Sequence, residues 1–267
     1  MGSFLRYAVG IPVAAAVAVG GSLSASAAPE PAAPADFVAL RDVDPTIIEE
    51  MRYLTPHNFT GDPVDGYIAP LCILTRPAAE ALSRAQQDFL ERGYTLKVYD
   101  CYRPQRAVND FVGWAADLAD QRMKAEFYPR VDKSTLFADG YIAERSGHSR
   151  GSTFDVTLVP LSDTASRALY MPGQPLVDCA APQSIRFPDN SIDMGTGFDC
   201  FDTLAHTLDP RIDGDQAKNR LLLVEGLQRV GFVNYDKEWW HFTLNPEPYP
   251  NTFFDFPVDR QSLAPAQ

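Results

Sequence analysis

The sequence predicts an α+β fold, a single domain in which helices flank a central, mostly antiparallel sheet. Three stretches carry apolar residues at helical spacing, and four carry β-branched and aromatic residues at near-alternating spacing. The predicted helices precede a cluster of strands late in the chain and do not alternate with them regularly. Regular alternation would indicate a parallel sheet, so this order favours an α+β fold.

Each predicted element has its own signals. Thr75 can cap a first helix that ends at Gly93, with Pro77 in its first turn and with Leu82, Ala85 and Phe89 on one face. A second helix, 105–119, places Val108, Phe111, Ala115 and Leu118 on one stripe. A third, 216–230, does the same with Leu223, Leu227 and Val230, and Gly231 stops it. The predicted strands are 95–100, 153–159, 232–235 and 238–244.

The composition limits the class of protein. The 267 residues include 23 Lys and Arg against 35 Asp and Glu, a formal net charge of -12, with 45% hydrophobic residues. These values fit a globular protein and exclude a disordered tail or a collagen-like chain. A nucleic-acid binder needs a basic face, so no nucleic-acid partner is expected.

The N-terminus predicts export. Residues 7–23 are apolar and uncharged, and Ala25-Ser26-Ala27 is a cleavage signal, so residues 1–27 form a predicted signal peptide. An uncleaved anchor is the alternative, but the apolar run is short and contains Pro12. We expect a flexible leader at 28–36, a catalytic domain at 37–258 and a tail at 259–267. The expected location is extracellular, with no stable membrane insertion after cleavage.

Two short segments have the residue types of a metal site. His148 lies in a loop rich in Gly and Ser, and Asp155 follows it within an apolar strand, where a carboxylate needs a partner or a cation. Glu238 and His241 lie three residues apart. His148, Asp155 and His241 would give one Zn²⁺ per chain three ligands on the sheet, with the fourth position open for water. Glu238 would be the general base. Each spacing alone is a weak signal, because a lone strand histidine is more often structural.

Longer motifs resemble a known family. The segment SGHSRGSTFDVTL resembles the signature of the zinc D-alanyl-D-alanine dipeptidases of the VanX type, and EWWHF resembles their Glu-x-x-His element. Residues 58–67, 99–108, 194–199 and 247–257 extend the match. The resemblance therefore covers about residues 37–258.

The resemblance implies a role for each matching residue. His148, Asp155 and His241 would be the zinc ligands, and Glu238 the general base and acid. Arg103 would stabilise the oxyanion of the scissile carbonyl, since a guanidinium stays charged and offers a fixed fork of donors; the alternative is a surface arginine beside Pro104. Asp199 would hold the substrate ammonium, and Ser146 and Tyr53 would line the pocket. Nearby carboxylates are alternatives to Asp199, namely Asp193, Asp202 and Asp209.

The spacing of Glu238 and His241 raises a geometric question. In a regular strand, residues three apart point to opposite faces of the sheet. We therefore predict a twist or bulge near Trp239-Trp240 that turns both side chains towards the metal.

The cysteines depart from the family pattern. Four of them allow three disulfide pairings, among which the sequence does not decide. Proximity along the chain favours Cys72–Cys101 and Cys179–Cys200. Four free thiols are the alternative.

The resemblance implies a secreted zinc metallopeptidase that hydrolyses D-Ala-D-Ala, a dipeptide component of bacterial peptidoglycan. One alternative is a zinc D,D-carboxypeptidase acting on peptidoglycan stem peptides, which would have an open pocket. Another is a non-catalytic cell-wall-binding relative. The only partner expected is a small dipeptide substrate, and the sequence does not set the oligomeric state.

Overall fold

Seven strands and five α-helices occur in the computed structural model, which describes residues 1–2, 32–165 and 168–264. In chain order they are β1 (Phe37–Ala39), α1 (Leu40–Val43), β2 (Ile48–Glu49), β3 (Ile73–Thr75), α2 (Arg76–Glu91), β4 (Tyr94–Asp100), α3 (Gln105–Ala116), α4 (Lys124–Phe127), β5 (Thr153–Pro160), α5 (Gly214–Gln228), β6 (Phe232–Asn234) and β7 (His241–Leu244). A five-stranded sheet runs in the order β2-β4-β5-β7-β6, and β1 pairs with β3 in a separate ribbon. Only the β2–β4 pair of the large sheet is parallel. The predicted α+β class is confirmed.

One face of the sheet packs on α2 and α5. Apolar side chains alternate along the strands, and those of this face join the two helices in one core cluster. The sheet contributes Leu96, Val98, Phe154, Val156, Leu158 and Phe242, and the helices contribute Ala78, Leu82, Ala85, Phe89, Leu223 and Leu227. On α5, Gly226 allows the close crossing, because a Cβ there would lie 2.3 Å from the Phe89 ring. This layer holds the sheet rigid from one side.

The other face of the sheet carries polar side chains at its centre. On β5, Asp155 alternates with the core residues Phe154 and Val156, so its carboxylate points away from the helices. A second cluster of aromatic residues from α3, α4 and the loops surrounds this area, among them Tyr53, Phe59, Phe111, Phe127 and Phe201. The site therefore lies between a rigid sheet and an aromatic wall.

The predicted helices form, with shifted ends. α2 begins after Thr75 and has proline in its first turn, as predicted, although the Thr75 hydroxyl contacts Ser152 and caps no backbone N–H. α3 ends at Ala116, so the prediction that Leu118 belongs to its buried stripe is wrong. Leu118 is 55% exposed, because the chain has already left the helix.

The strand predicted at 238–244 is correct only in its second half. β7 begins at His241, and the residues before it form a turn in which the N–H of Glu238 donates to the carbonyl of Tyr235 (3.0 Å) and that of His241 to the carbonyl of Glu238 (3.3 Å). Trp239 and Trp240 are buried in this turn. The aromatic residues at 239–240 suggested a strand. They are present because they pack in the core, and they do not pair with a neighbouring strand. The turn replaces the bulge predicted there.

A bulge does occur in β4. Val98 pairs with Val156, but the next pair is Asp100 with Asp155, so one extra residue, Tyr99, lies between them. In a regular ladder Tyr99 would pair with Asp155, and Asp100 would then lie opposite Phe154, on the core face with Val98. A bulge changes the direction of the following side chains, and here it turns Asp100 to the polar face.

Both predicted disulfides are confirmed. Cys72 is bonded to Cys101, which joins the start of β3 to the chain after β4. Cys179 is bonded to Cys200, beside Asp199. No free cysteine exists in the described part of the chain. The alternative of four free thiols is therefore wrong.

A buried network of charges binds the N-terminal loop to the sheet. Arg52 donates through Nη1 to Nδ1 of His57 (3.0 Å), and Nε2 of His57 lies 2.9 Å from a Glu126 oxygen. Since arginine can only donate, Nδ1 accepts and Nε2 carries the proton. Arg52 and Lys97 both donate to Glu50, at 2.5 and 3.1 Å. Burial lowers the pKa of His57 below its ordinary value, and the Arg52 charge acts in the same direction.

The predicted signal peptide lies outside the described residues, apart from Met1 and Gly2. The described part of the predicted leader contacts the fold: Ala33 donates its N–H to Ser262 (2.9 Å), and an Asp36 oxygen accepts from the Tyr249 hydroxyl (2.7 Å). Residues 265–267 of the predicted tail also lie outside the described part. Among the described helices, none has the length and apolar character required to cross a membrane.

Candidate active site

Three adjacent strands place their functional side chains in one row. Asp155 pairs with Asp100 of β4 on one side and with His241 of β7 on the other. Directly opposed residues in an antiparallel pair point to the same face. The sheet register thus brings the carboxylate of Asp155 to 3.1 Å from Nδ1 of His241.

His148 reaches the same row from a short 3₁₀ helix, Gly147–Arg150. Ser146 caps this helix, since its hydroxyl oxygen accepts the N–H of His148 (3.2 Å). The helix ends at Gly151, where φ is +83° and a Cβ would lie 2.2 Å from the Phe37 ring, so only glycine fits. The carbonyl of Cys101 accepts from Nδ1 of His148 (2.8 Å), which leaves Nε2 unprotonated and directed at Asp155.

These three side chains form a group that could hold a metal ion. Their ligand atoms all lie within 4.8 Å of one another, with Nε2 of His148 at 3.2 Å from Nδ1 of His241 and 3.3 Å from Asp155 Oδ1. Two imidazole lone pairs and a carboxylate oxygen converge here, and they repel unless a proton or a cation lies between them. The donor set, two nitrogens and one oxygen, fits the three protein ligands of a catalytic zinc site. The second partner of His148, a backbone carbonyl, is typical of a metal-bound histidine.

Electrostatics within the group favour a cation. Burial would raise the pKa of Asp155, but the two histidines, His148 foremost, hold it well below its usual range. Burial lowers the pKa of His148. For His241 burial acts in the same direction, yet the hydrogen bond with Asp155 raises its pKa overall. The site therefore maintains an ionised carboxylate and at least one neutral imidazole.

Glu238 lies beside this group, on the turn before β7. Its Oε2 is 3.4 Å from Nδ1 of His241. Burial, with the charge of Asp155, raises the pKa of Glu238 to about 7, although His241 and Arg103 oppose the shift. A carboxylate that titrates near neutral pH can both accept and return a proton.

Arg103 extends over the row from the segment after β4. Its Nε donates to Oδ2 of Asp100 (2.9 Å), and its Nη2 is 3.8 Å from Asp155. The guanidinium lies 5.0 Å from the ring centres of both Tyr53 and Phe111. Burial disfavours its charge, but the neighbouring acids, Asp100 first, hold the pKa of Arg103 well above its ordinary value. Arg103 is therefore a fixed, largely buried cation, and the alternative of a surface arginine is wrong.

Asp199 and Tyr53 lie together on the opposite wall. The Tyr53 hydroxyl donates to Oδ2 of Asp199 (2.8 Å), and Asp199 has a φ of +55°. Burial and the charge of Asp155 hold the pKa of Asp199 well above its usual range. The alternative carboxylates pair with arginines: Asp193 with Arg186, Asp202 with Arg130 and Asp209 with Arg211. Of the four, only Asp199 lines the cavity with the histidines.

All eight predicted catalytic, metal and substrate residues line one cavity of about 270 Å³. They are Tyr53, Arg103, Ser146, His148, Asp155, Asp199, Glu238 and His241. Their roles stay predictions. Asp100 was not predicted as a site residue. Its second oxygen accepts from the Tyr67 hydroxyl (2.6 Å), and it contacts both Arg103 and His148. The sequence signal for Asp100 is a carboxylate at the end of an apolar strand, three residues before Arg103. Tyr141 and Tyr235 of the wall were not predicted either, because they stand in no motif.

Comparison with known proteins places the chain in a family. Residues 33–168 and 186–259 match the model of the D-Ala-D-Ala dipeptidase family, Peptidase_M15. A D-alanyl-D-alanine dipeptidase of Streptomyces coelicolor is 37% identical over 223 residues, which is 84% of this chain and 98% of the relative. One of Enterococcus faecium is 36% identical over 83% of this chain and 98% of its own length. One of Escherichia coli is 29% identical over 78% and 84%. This chain belongs to the D-Ala-D-Ala dipeptidase family.

Proposed function

We propose that this protein is an exported zinc dipeptidase that hydrolyses D-Ala-D-Ala. The observation that carries the proposal is the convergence of His148, Asp155 and His241 within 4.8 Å, with Glu238 3.4 Å from the last of them. The relatives named above as D-alanyl-D-alanine dipeptidases support the choice of substrate.

His148, Asp155 and His241 would hold the zinc ion. Zinc at such a site supplies Lewis acidity to a substrate carbonyl and lowers the pKa of a coordinated water to about 7. The protein contributes the orientation: the Cys101 carbonyl sets the tautomer of His148, and the β5–β7 register sets Asp155 against His241.

Glu238 would move the proton. With its pKa raised to about 7 by burial, its carboxylate can take a proton from the attacking water and pass it to the leaving amine. The same proton is returned within one turnover, so no other acid is required. Glu238 lies in the turn before β7, where side chains do not alternate between the two faces of a sheet. Its carboxylate can therefore lie on the same side as His241.

Arg103 would stabilise the negative charge that develops on the scissile carbonyl. Its Nε is occupied by Asp100, and its Nη1 is 3.4 Å from the Ser146 hydroxyl. The fork is thus fixed before substrate arrives, and a preorganised cation in a buried site stabilises a transition state strongly. Ser146 would offer its hydroxyl to the substrate beside it.

Asp199 and Tyr53 would receive the substrate ammonium. The raised pKa of Asp199 means that its charge is disfavoured by burial until a cation arrives. An ammonium group would restore that charge, whereas an N-acylated peptide brings no cation. The site thereby selects a free N-terminus.

The test is metal content combined with a substrate panel. We expect loss of activity after dialysis against a chelator, recovery with one equivalent of Zn²⁺, and faster hydrolysis of D-Ala-D-Ala than of N-acetyl-D-Ala-D-Ala. Faster cleavage of the acetylated peptide would refute the dipeptidase proposal and support a D,D-carboxypeptidase. Hydrolysis of neither peptide by the zinc-loaded protein would support a non-catalytic relative.

Export is part of the proposal. Two disulfides among the described residues support an oxidising compartment, because disulfides rarely persist in a reducing cytosol. To test export, the protein is expressed in a bacterium, recovered from the culture medium, and its mass is measured by mass spectrometry. Cleavage after Ala27 is expected, and a cytosolic, full-length protein would contradict export.

A further inference from the structure

A second cavity lies directly behind the wall of the active site. This adjoining cavity, of about 470 Å³, is lined by Arg130, Val131, Ala138, Asp139, Tyr141, Asp202, Thr203, His206, Arg211 and Lys237. In the described part of the chain, Tyr141 is the residue that lines both cavities. The two spaces are therefore separated by a wall that Tyr141 helps to form.

Three chain segments build this wall, and each one contributes residues to both sides. Phe201 faces the active-site cavity, whereas the next residue, Asp202, faces the adjoining one. In the second segment, Glu238 faces the active-site cavity and the preceding residue, Lys237, faces the adjoining one. The third segment contributes Ala138 and Asp139 to the adjoining cavity, Gly140 and Ile142 to the active-site cavity, and Tyr141 to both. The wall is thus one residue thick at this point.

Contacts hold both the Tyr141 ring and the segment that carries it. It stacks on Phe201 with ring centres 5.2 Å apart and an interplanar angle of 23°. Its N–H donates to the carbonyl of Leu136 (2.9 Å), which belongs to the second core cluster. Beside it, Lys237 donates through Nζ to the carbonyl of Asp139 (2.8 Å), which fastens the segment to the turn that carries Glu238.

The position of Tyr141 relates it to one end of the substrate. Its stacking partner, Phe201, follows Asp199 by two residues, and Asp199 is the proposed ammonium partner. Asp199, Phe201 and Tyr141 line the same cavity, so a peptide extended beyond its N-terminus on this side would meet the Phe201–Tyr141 pair. The adjoining cavity behind this pair has polar walls that include Arg130, Arg211 and Lys237, and these suit a hydrated peptide extension.

We propose that Tyr141 is a specificity-determining residue that closes the active-site cavity to peptides extended at the N-terminus, an inference that rests on the proposed function. Its ring, and not its hydroxyl, performs this role. Removal of the ring would join the active-site cavity to the adjoining cavity and open a path for an acyl group or a further residue.

The experiment compares Tyr141→Ala with Tyr141→Phe in the zinc-loaded full chain. Both variants and the wild type are assayed with D-Ala-D-Ala and with N-acetyl-D-Ala-D-Ala. For Tyr141→Ala we expect the ratio of kcat/KM, acetylated over free, to rise by about tenfold or more, the discrimination that one steric contact in a pocket provides. Tyr141→Phe keeps the ring and should keep the wild-type ratio.

Binding gives a second readout that does not depend on turnover. In a Glu238→Gln background, calorimetry should show that Tyr141→Ala tightens binding of the acetylated peptide relative to the free one. Loss of the wild-type ratio in Tyr141→Phe, or an unchanged preference in Tyr141→Ala by both measurements, overturns the proposal. If the wild type hydrolyses neither peptide, the proposed function fails, and the binding comparison still decides the role of Tyr141.

Discussion

Replacing Asp100 by Asn tests whether the buried carboxylate of β4 positions the catalytic groups. Asp100 is fully buried and accepts from Nε of Arg103 (2.9 Å) and from the Tyr67 hydroxyl (2.6 Å), with Nδ1 of His148 at 3.3 Å. Asn has nearly the same shape, but one oxygen becomes an NH₂ group and the charge is lost. Its remaining oxygen can still accept from Arg103, but the ion pair with the guanidinium is lost.

The size of the effect follows from that exchange. Removing one charge of a buried ion pair costs about 3–5 kcal/mol. The hydrogen bond that the Asn oxygen still accepts from the charged guanidinium is worth about 1.5–3 kcal/mol, so the loss is roughly 1–2 kcal/mol. If it is expressed in the transition state, kcat/KM for D-Ala-D-Ala falls about 5- to 30-fold. Since Arg103 would act on the developing oxyanion, the decrease should lie in kcat more than in KM.

The assay is steady-state hydrolysis of D-Ala-D-Ala, together with zinc affinity by competition with a chelator. Asp110→Asn is the matched control, because this exposed acid of α3 accepts the N–H of Asp65 (3.1 Å) and does not line the active-site cavity. A folded Asp100→Asn protein with wild-type kcat and zinc affinity would refute the reasoning. A rise in KM alone would assign Asp100 to substrate binding instead.

Three further predictions concern the base, a glycine and a histidine. Glu238→Gln should lower kcat about 10²- to 10⁴-fold with the melting temperature unchanged, and retained activity would exclude Glu238 as the base. Gly151→Ala should destabilise the fold by about 2–5 kcal/mol in urea unfolding, from its positive φ and from overlap with Phe37. Gly93→Ala, with φ +85° but no atom within 4 Å, should lose only about 1 kcal/mol, and equal losses would contradict the overlap argument. Because the pKa of His57 is lowered by burial, the unfolded chain binds a proton there that the folded chain does not, so stability falls as pH drops below about 6.5. His57→Gln should make the free energy of unfolding less dependent on pH between about pH 7.5 and 5.5. An unchanged pH dependence would assign the loss of stability to other groups.

The sequence predicted the site better than the fold around it. His148, Asp155, Glu238 and His241 stand in motifs whose residue types are set by chemistry, so their proximity could be predicted without coordinates. The short strands β1 and β2 carry no periodic signal of their own. They form because they pair with β3 and β4. Two or three residues are too few to show the alternating pattern by which a strand is predicted.

The remaining differences have a common physical origin. The spacing of apolar residues predicted that Leu118 belongs to the helix. The position where a helix ends depends on tertiary contacts, which the spacing of apolar residues does not reveal. The turn at Glu238 and the bulge at Tyr99 are likewise results of packing. Tyr141 could not be predicted as a wall residue, because its position depends on Phe201, sixty residues away in the chain.

The bulge in β4 has a consequence for how this chain can change in length. The row of Asp100, Asp155 and His241 depends on strand register, and a shift by one residue moves a side chain to the other face. Insertions and deletions should therefore be excluded from β5 and β7, while surface connections can vary. Tyr99 is itself one such extra residue, and because the ladder leaves it unpaired, Asp100 stays opposite Asp155 on the face of the site. Regular pairing of Tyr99 with Asp155 would instead place Asp100 opposite Phe154, on the core face, and leave Arg103 without its partner.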